Sequence, residues 1–146
     1  MILGLDIGGA NTKAASSDGL FTASVYLPLW KGAPLEEALC GIARSQPRAE
    51  AVAVVITGEL ADCFSSKREG LERLMASVRR SFSVPAYFWG TGGFNWTDPM
   101  ELAAANWSAS AAFLGQEEDD CLFVDMGSTT TDIIPILSGR AAASGT

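Results

Sequence analysis

An aspartate inside an apolar run is the first residue in this chain suited to chemistry. Asp6 lies in Ile2 to Ile7, a run that reads as a buried strand. Gly8 and Gly9 follow, then Asn11, Thr12 and Lys13. Two glycines allow a tight turn and let a ligand approach the backbone. An amide, a hydroxyl and an ammonium on the return strand complete a hairpin suited to cradling a phosphate, with its carboxylate suited to holding a metal. On its own the stretch also fits an ordinary hairpin with a Gly-Gly turn.

The pattern occurs twice. Asp125 matches Asp6, Gly127 matches Gly8 and Thr131 matches Thr12, each 119 residues further on. Ser128, Thr129 and Thr130 occupy the second turn, and Asp132 follows Thr131. Each copy ends in a small-residue turn, Asp18-Gly19 and Ser138-Gly139. A hairpin repeated at a domain-sized interval predicts a duplicated domain with one phosphate loop in each half. Two such loops facing across a cleft would clamp a polyphosphate from both sides.

Composition narrows the function. At 146 residues the chain is the size of one ordinary domain, and its 48% apolar residues are ample for a core. No run approaches the ~20 apolar residues of a membrane span. Met1 leads directly into the first strand, which leaves no room for a signal peptide. Cys40, Cys63 and Cys121 are odd in number and lack metal-ligand spacing, which fits reduced thiols and a cytoplasmic location. The chain has no histidine, so Ser-His and Cys-His nucleophile systems and histidine-bound zinc are excluded. A net charge of -7 argues against a nucleic-acid surface. An acidic protein that binds phosphates needs a counter-charge, which predicts Mg²⁺ at the site.

The elements that must position these residues follow in order. Ile2–Ile7, Thr12–Ser16 and Leu20–Leu27 read as an antiparallel meander. Trp30-Lys31 reads as loop packing. Pro34 suits the first turn of a helix that runs to Arg44, with Leu35, Leu39 and Ile42 inward. The stretch from Ala51 to Thr57 is apolar on both faces and suits a central parallel strand. It ends at Gly58-Glu59, where open α/β sheets place their sites. Glu59 is thus a candidate general base or ligand to a metal-bound water; a first-turn helix acid is the other reading. Cys63 reads as a small buried residue.

Ser66 to Glu69 forms a capping box for a helix carrying Leu71, Leu74, Met75, Val78 and Phe82. A short strand, Ala86–Trp89, and a glycine turn follow. A capping box at Asp98 and Glu101 opens one alanine-rich helix to Leu114, with Gly115 as C-cap and Trp107 packed on a neighbouring helix. The acidic stretch 116–120 reads as a solvated domain boundary. Residues 1–117 form the first unit and 118–146 the start of the second.

Three strands, helix, strand, helix, strand, helix is the order of a ribonuclease-H-like unit. The expected class is therefore α/β: a mixed sheet flanked by helices, followed by the first hairpin of a second, incomplete copy. Two such units resemble the actin, sugar-kinase and heat-shock ATPase architecture. The second copy holds only two strands and a turn, so the chain reads as part of a protein about twice as long. Ile133, Ile134 and Ile136 then need a cover, from the first unit, a homodimer partner or the missing half.

Five phrases carry a closer resemblance: Leu5 to Lys13, Pro28 to Lys31, Thr57 to Phe64, Ala103 to Trp107 and Gly127 to Ile136. Together they resemble the hydantoinase/oxoprolinase-related proteins linked to tetrahydromethanopterin one-carbon metabolism. The resemblance implies a methanofuran-biosynthesis transferase that joins a furan-methyl diphosphate to the phenol of γ-glutamyl-tyramine and releases pyrophosphate. Its substrate is a small-molecule diphosphate. On that reading Asp6 and Asp125 hold Mg²⁺. Gly8, Gly9, Asn11, Thr12, Gly127, Ser128, Thr129 and Thr130 surround the diphosphate, with Lys13 neutralising its charge. Glu59 or Asp132 accepts the phenol proton. An ATP-dependent kinase of the same superfamily, or a non-catalytic phosphate-binding module, are the alternatives.

Overall fold

The computed structural model describes residues 1–103, 105–126 and 131–142. Its first sheet runs in the order β3-β2-β1-β4-β5. Strands β1 (Ile2–Gly8), β2 (Asn11–Ser16) and β3 (Thr22–Tyr26) form the antiparallel meander. β4 (Ala51–Thr57) and β5 (Ala86–Phe88) join β1 in parallel. Parallel neighbours require crossover connections. Here these are helices α1 (Leu35–Ser45) and α2 (Lys67–Ser81). This mixed, helix-flanked sheet is the ribonuclease-H-like arrangement.

Alternation along β1 and β4 builds the core. Leu3, Leu5 and Ile7 face the same layer as Val52, Val54 and Ile56, and all six are buried. Leu35, Leu39 and Ile42 of α1 meet Leu71, Leu74, Met75 and Val78 of α2 there. Leu71 is fully buried. Leu71→Ala is therefore expected to cost about 2–5 kcal/mol, the range for a leucine truncated in a packed core, read as a lower urea midpoint.

The start of α2 shows how a cap adapts. Ser66 accepts from the Glu69 amide at 3.2 Å, as its pattern predicts. The Glu69 carboxylate, however, takes the Ser65 amide at 2.7 Å and the Ser65 hydroxyl instead of the Ser66 amide. The reciprocal half of the box is shifted by one residue.

The predicted helix from Asp98 to Leu114 is two elements. Its capping box forms: Asp98 accepts from the Met100 amide at 2.9 Å, and Glu101 accepts from the Asp98 amide at 3.1 Å. A 3-10 turn, Pro99–Leu102, then ends in an extended Ala103. The Thr91 amide takes the Glu101 carbonyl at 2.9 Å, so that carbonyl cannot extend a helix. A new helix, α3 (Asn106–Leu114), begins beyond it.

Helix α3 covers the second sheet, whose order is β6-β7-β8: β6 (Cys121–Met126), β7 (Thr131–Leu137) and β8 (Arg140–Ala141). Ala111, Trp107 and Leu114 pack on Ile134, Ile136 and Phe123. Trp107 thus packs on a sheet rather than on a helix. Gly115 is not a left-handed cap, since its φ is -65°. A side chain there would collide with the backbone of Gly139, which itself turns at φ 71°. The acidic stretch 116–120 is tied down as well. Asp119 accepts from the Gly139 amide at 2.7 Å through its carbonyl, and the Asp120 carboxylate from the Ser138 amide at 2.9 Å.

Several surface carboxylates are held below their usual range. Arg80 hydrogen bonds lower Glu36, linking α2 to α1. The Ser65 hydroxyl and amide lower Glu69. The Met100 amide, then Arg68, lowers Asp98; the Asp98 and Thr97 amides lower Glu101. Lowered folded values mean stability that is present above the unfolded values of 3.8 for Asp and 4.5 for Glu, and lost as pH falls through the folded ones. The melting temperature is expected to drop progressively below about pH 4.5. Glu36→Gln should flatten part of that acid limb in a thermal scan.

Candidate functional site

Asp6 lies directly across from Lys13 in the β1–β2 ladder, and Lys13 Nζ reaches its Oδ2 at 3.1 Å. Its other oxygen, Oδ1, accepts from the Thr57 hydroxyl at 3.1 Å. The carboxylate is thus fixed from two neighbouring strands while staying about one-third exposed. Residue type and spacing alone do not point to Thr57. Its signal was a hydroxyl ending an otherwise apolar central strand, immediately before Gly58.

The turn after β1 is shaped by close backbone approach. A Cβ on Gly8 would sit 2.8 Å from the Asn11 carbonyl oxygen. A Cβ on Gly58 would sit 2.9 Å from the Gly8 carbonyl carbon and 3.0 Å from the Gly9 nitrogen. The ends of β1 and β4 therefore lie flush against each other, and only glycine fits at either place. The Leu29 amide takes the Gly9 carbonyl at 2.9 Å and the Leu27 amide takes the Ala10 carbonyl at 2.7 Å. The loop 27–29 thereby buttresses the turn.

Glu59 sits in a turn, eight residues before α2 begins, so the first-turn helix reading does not hold. It is 3% exposed, and its Oε2 has no hydrogen-bond partner among the described residues. Burying an unpartnered carboxylate oxygen is costly. Gly70 of α2 lies so near the Glu59 carbonyl that any side chain there would overlap it.

Thr12 departs from its expected role. It is fully buried on the α1–α2 side of the sheet, opposite Asp6 and Lys13, because adjacent strand residues face opposite sides. Its hydroxyl, also without a partner among the described residues, does not share a surface with theirs. Cys63 is exposed rather than buried. Trp30 is 45% exposed on a short 3-10 turn, Leu29–Lys31.

The second hairpin pairs in the same register as the first. Asp125 faces Asp132 and Met126 faces Thr131, just as Asp6 faces Lys13 and Ile7 faces Thr12. Gly127, Ser128, Thr129 and Thr130 lie outside the described residues. Where the first hairpin pairs an acid with a cation, the second sets two acids face to face. Like charges directly opposite in a ladder are unfavourable. Neither aspartate has an ion-pair partner among the described residues. Two carboxylates are suitable hard donors for Mg²⁺. Among the described residues no three acidic, cysteine or histidine side chains gather into a metal-binding group. No helix among them is long and apolar enough to cross a membrane.

Residues 50–145 match the family described as hydantoinase/oxoprolinase. Over 145 residues the chain is 41% identical to (4-{4-[2-(gamma-L-glutamylamino)ethyl]phenoxymethyl}furan-2-yl)methanamine synthase of Methanocaldococcus jannaschii, covering 93% of this chain and 43% of that protein. The Methanococcus vannielii protein of the same name is 60% identical over 37 residues, covering 25% of this chain and 17% of its own. The chain therefore spans less than half the length of these curated relatives. Among solved structures, it is similar to the ROK hexokinase from Thermus thermophilus, with a TM-score of 0.49 and 21% identity over 97% of this chain and 47% of that one. It is also similar to the ethanolamine utilization protein EutJ from Carboxydothermus hydrogenoformans, with a TM-score of 0.47 and 16% identity over 97% and 49%.

Proposed function

The chain belongs to the hydantoinase/oxoprolinase family, and from that premise we propose that it supplies the diphosphate-binding part of a methanofuran-biosynthesis transferase. The reaction joins a furan-methyl diphosphate to the phenol of γ-glutamyl-tyramine. The bond from the furan methylene carbon to the diphosphate oxygen breaks, and a bond from that carbon to the phenol oxygen forms. Pyrophosphate leaves and the phenol proton goes to a carboxylate. The observation that carries this reading is the shared register of the two hairpins, with Lys13 across from Asp6 and Asp132 across from Asp125.

In this reading Gly8 and Gly9 bring backbone amides to the diphosphate, and Asn11 and Lys13 meet its charge. Asp6 would orient Lys13 and hold Mg²⁺ through water, and Asp125 and Asp132 would hold it through their carboxylates. Gly127, Ser128, Thr129 and Thr130 would complete the second cradle. When bound, Mg²⁺ supplies charge to stabilise the leaving pyrophosphate. Glu59, already desolvated and with one oxygen unpartnered, is the base that takes the phenol proton.

The test is pyrophosphate release from the two substrates by the chain together with the remaining segment of its relatives. Release that requires both substrates supports the transferase. ADP formation from ATP without condensation would contradict it. Lys13→Met is expected to weaken pyrophosphate binding by roughly 10–100-fold, the effect of losing one hydrogen bond to a charged group. Calorimetric titration would read it.

A further inference from the structure

Two chain segments touch the first phosphate turn, and each leaves a large apolar side chain exposed. The first is residues 27–32, whose Leu27 and Leu29 amides donate to the Ala10 and Gly9 carbonyls at 2.7 and 2.9 Å. It is then locked as a 3-10 turn. The Lys31 amide donates to the Pro28 carbonyl at 3.0 Å and the Gly32 amide to the Leu29 carbonyl at 2.9 Å, with Gly32 at φ 68°. Leu29 is buried in the core, yet Trp30 beside it is 45% exposed. Consecutive Cα atoms are ~3.8 Å apart, so Trp30 stands one such step from the residue bonded to Gly9. The second segment is residues 58–61. Gly58 lies against Gly8 and Gly9, and the Ala61 amide donates to the Gly58 carbonyl at 3.2 Å. Leu60, inside that turn, is 69% exposed. Trp30 is thus an indole on a rigid support, which offers a ligand broad apolar contact at little cost in conformational entropy.

Resting on the transferase reading above, we propose that Trp30 is the platform for the furan ring of the diphosphate substrate, with Leu60 as an aliphatic side wall. In that substrate the ring stands one carbon away from the diphosphate oxygen. With the phosphates on the Gly8–Gly9 backbone, the ring must rest on what borders the turn. The Asp6–Lys13 part of that border is charged, whereas Trp30 and Leu60 are apolar. Trp30 then determines specificity: it selects diphosphates that carry a planar ring over those that do not. An aromatic face also favours positive charge. Such charge develops on the furan methylene carbon as its bond to the diphosphate oxygen breaks.

The experiment titrates two diphosphates into the 146-residue chain with Mg²⁺, read by calorimetry. One is 2-(furan-2-yl)ethyl diphosphate, whose extra methylene separates the reacting carbon from the ring and stops ionisation. The other is ethyl diphosphate, which lacks the ring. The parent should bind the first more tightly. Trp30→Leu should cut that preference by roughly 3–10-fold, the range for one aromatic contact, while Trp30→Phe should keep most of it. Ethyl diphosphate should bind parent and variants alike. In proton NMR the furan resonances should move upfield on binding the parent, as over an aromatic face, and should not do so with Trp30→Leu. A ring preference that survives Trp30→Leu would overturn the proposal. So would an equal loss for both diphosphates, which would make Trp30 a prop for the turn. If both diphosphates bind the parent equally, the platform alone fails. If neither binds, the phosphate site itself fails and the platform falls with it.

Discussion

Gly58→Ala is expected to unseat the first phosphate turn and to lower stability by about 1–3 kcal/mol, the range for forcing atoms into a packed site. The added carbon would stand 2.9 Å from the Gly8 carbonyl carbon and 3.0 Å from both the Gly8 oxygen and the Gly9 nitrogen. These are backbone atoms, fixed by pairing of Gly8 with Thr57 and by the Leu29 amide on Gly9. They cannot swing aside as a side chain would. Urea denaturation should show a lower midpoint, and pyrophosphate binding should fall with it. Gly41→Ala is the control. It lies within α1, and beyond the helix's own backbone no atom of the described residues comes within 4 Å of the added carbon. There alanine should stabilise by about 0.5–1 kcal/mol, since glycine is the poorer helix former.

Asp6→Asn should separate binding from folding. The ion pair it removes is largely solvent-exposed, at 63% for Lys13 and 32% for Asp6. Pairs of that kind contribute at most about 1 kcal/mol, so the urea midpoint should barely move. Binding of Mg-pyrophosphate, by contrast, should weaken roughly 10–100-fold, the usual consequence of removing an outer-sphere group from a metal site. Thr57→Val removes the other restraint on the same carboxylate and should give a smaller loss in the same direction. If Asp6→Asn bound Mg-pyrophosphate as the parent does, Asp6 would have no part in the site.

What the sequence revealed divides along physical lines. Periodic burial was legible: Leu35, Leu39 and Ile42 on α1 and the run Ala51–Thr57 lie where their spacing places them. So was the repeat, since paired register follows from identical offsets in both hairpins. Features decided by distant backbone contacts were not. The break at Ala103 arises because Thr91, from another loop, takes the Glu101 carbonyl. The close approach of Gly70 in α2 to the Glu59 carbonyl is another such contact. Thr12 is a different case. Its core-facing side follows from its pairing with Ile7, and alternation alone contained that information.

The decisive measurement is calorimetric titration of pyrophosphate into the folded 146-residue chain, with Mg²⁺ and with a chelator, for the parent and for Asp125→Asn combined with Asp132→Asn. One saturable site that needs Mg²⁺ and disappears with the two aspartates is the expected result. A folded chain that binds no pyrophosphate, or binds it equally well without Mg²⁺ and without those carboxylates, would contradict the two-hairpin site.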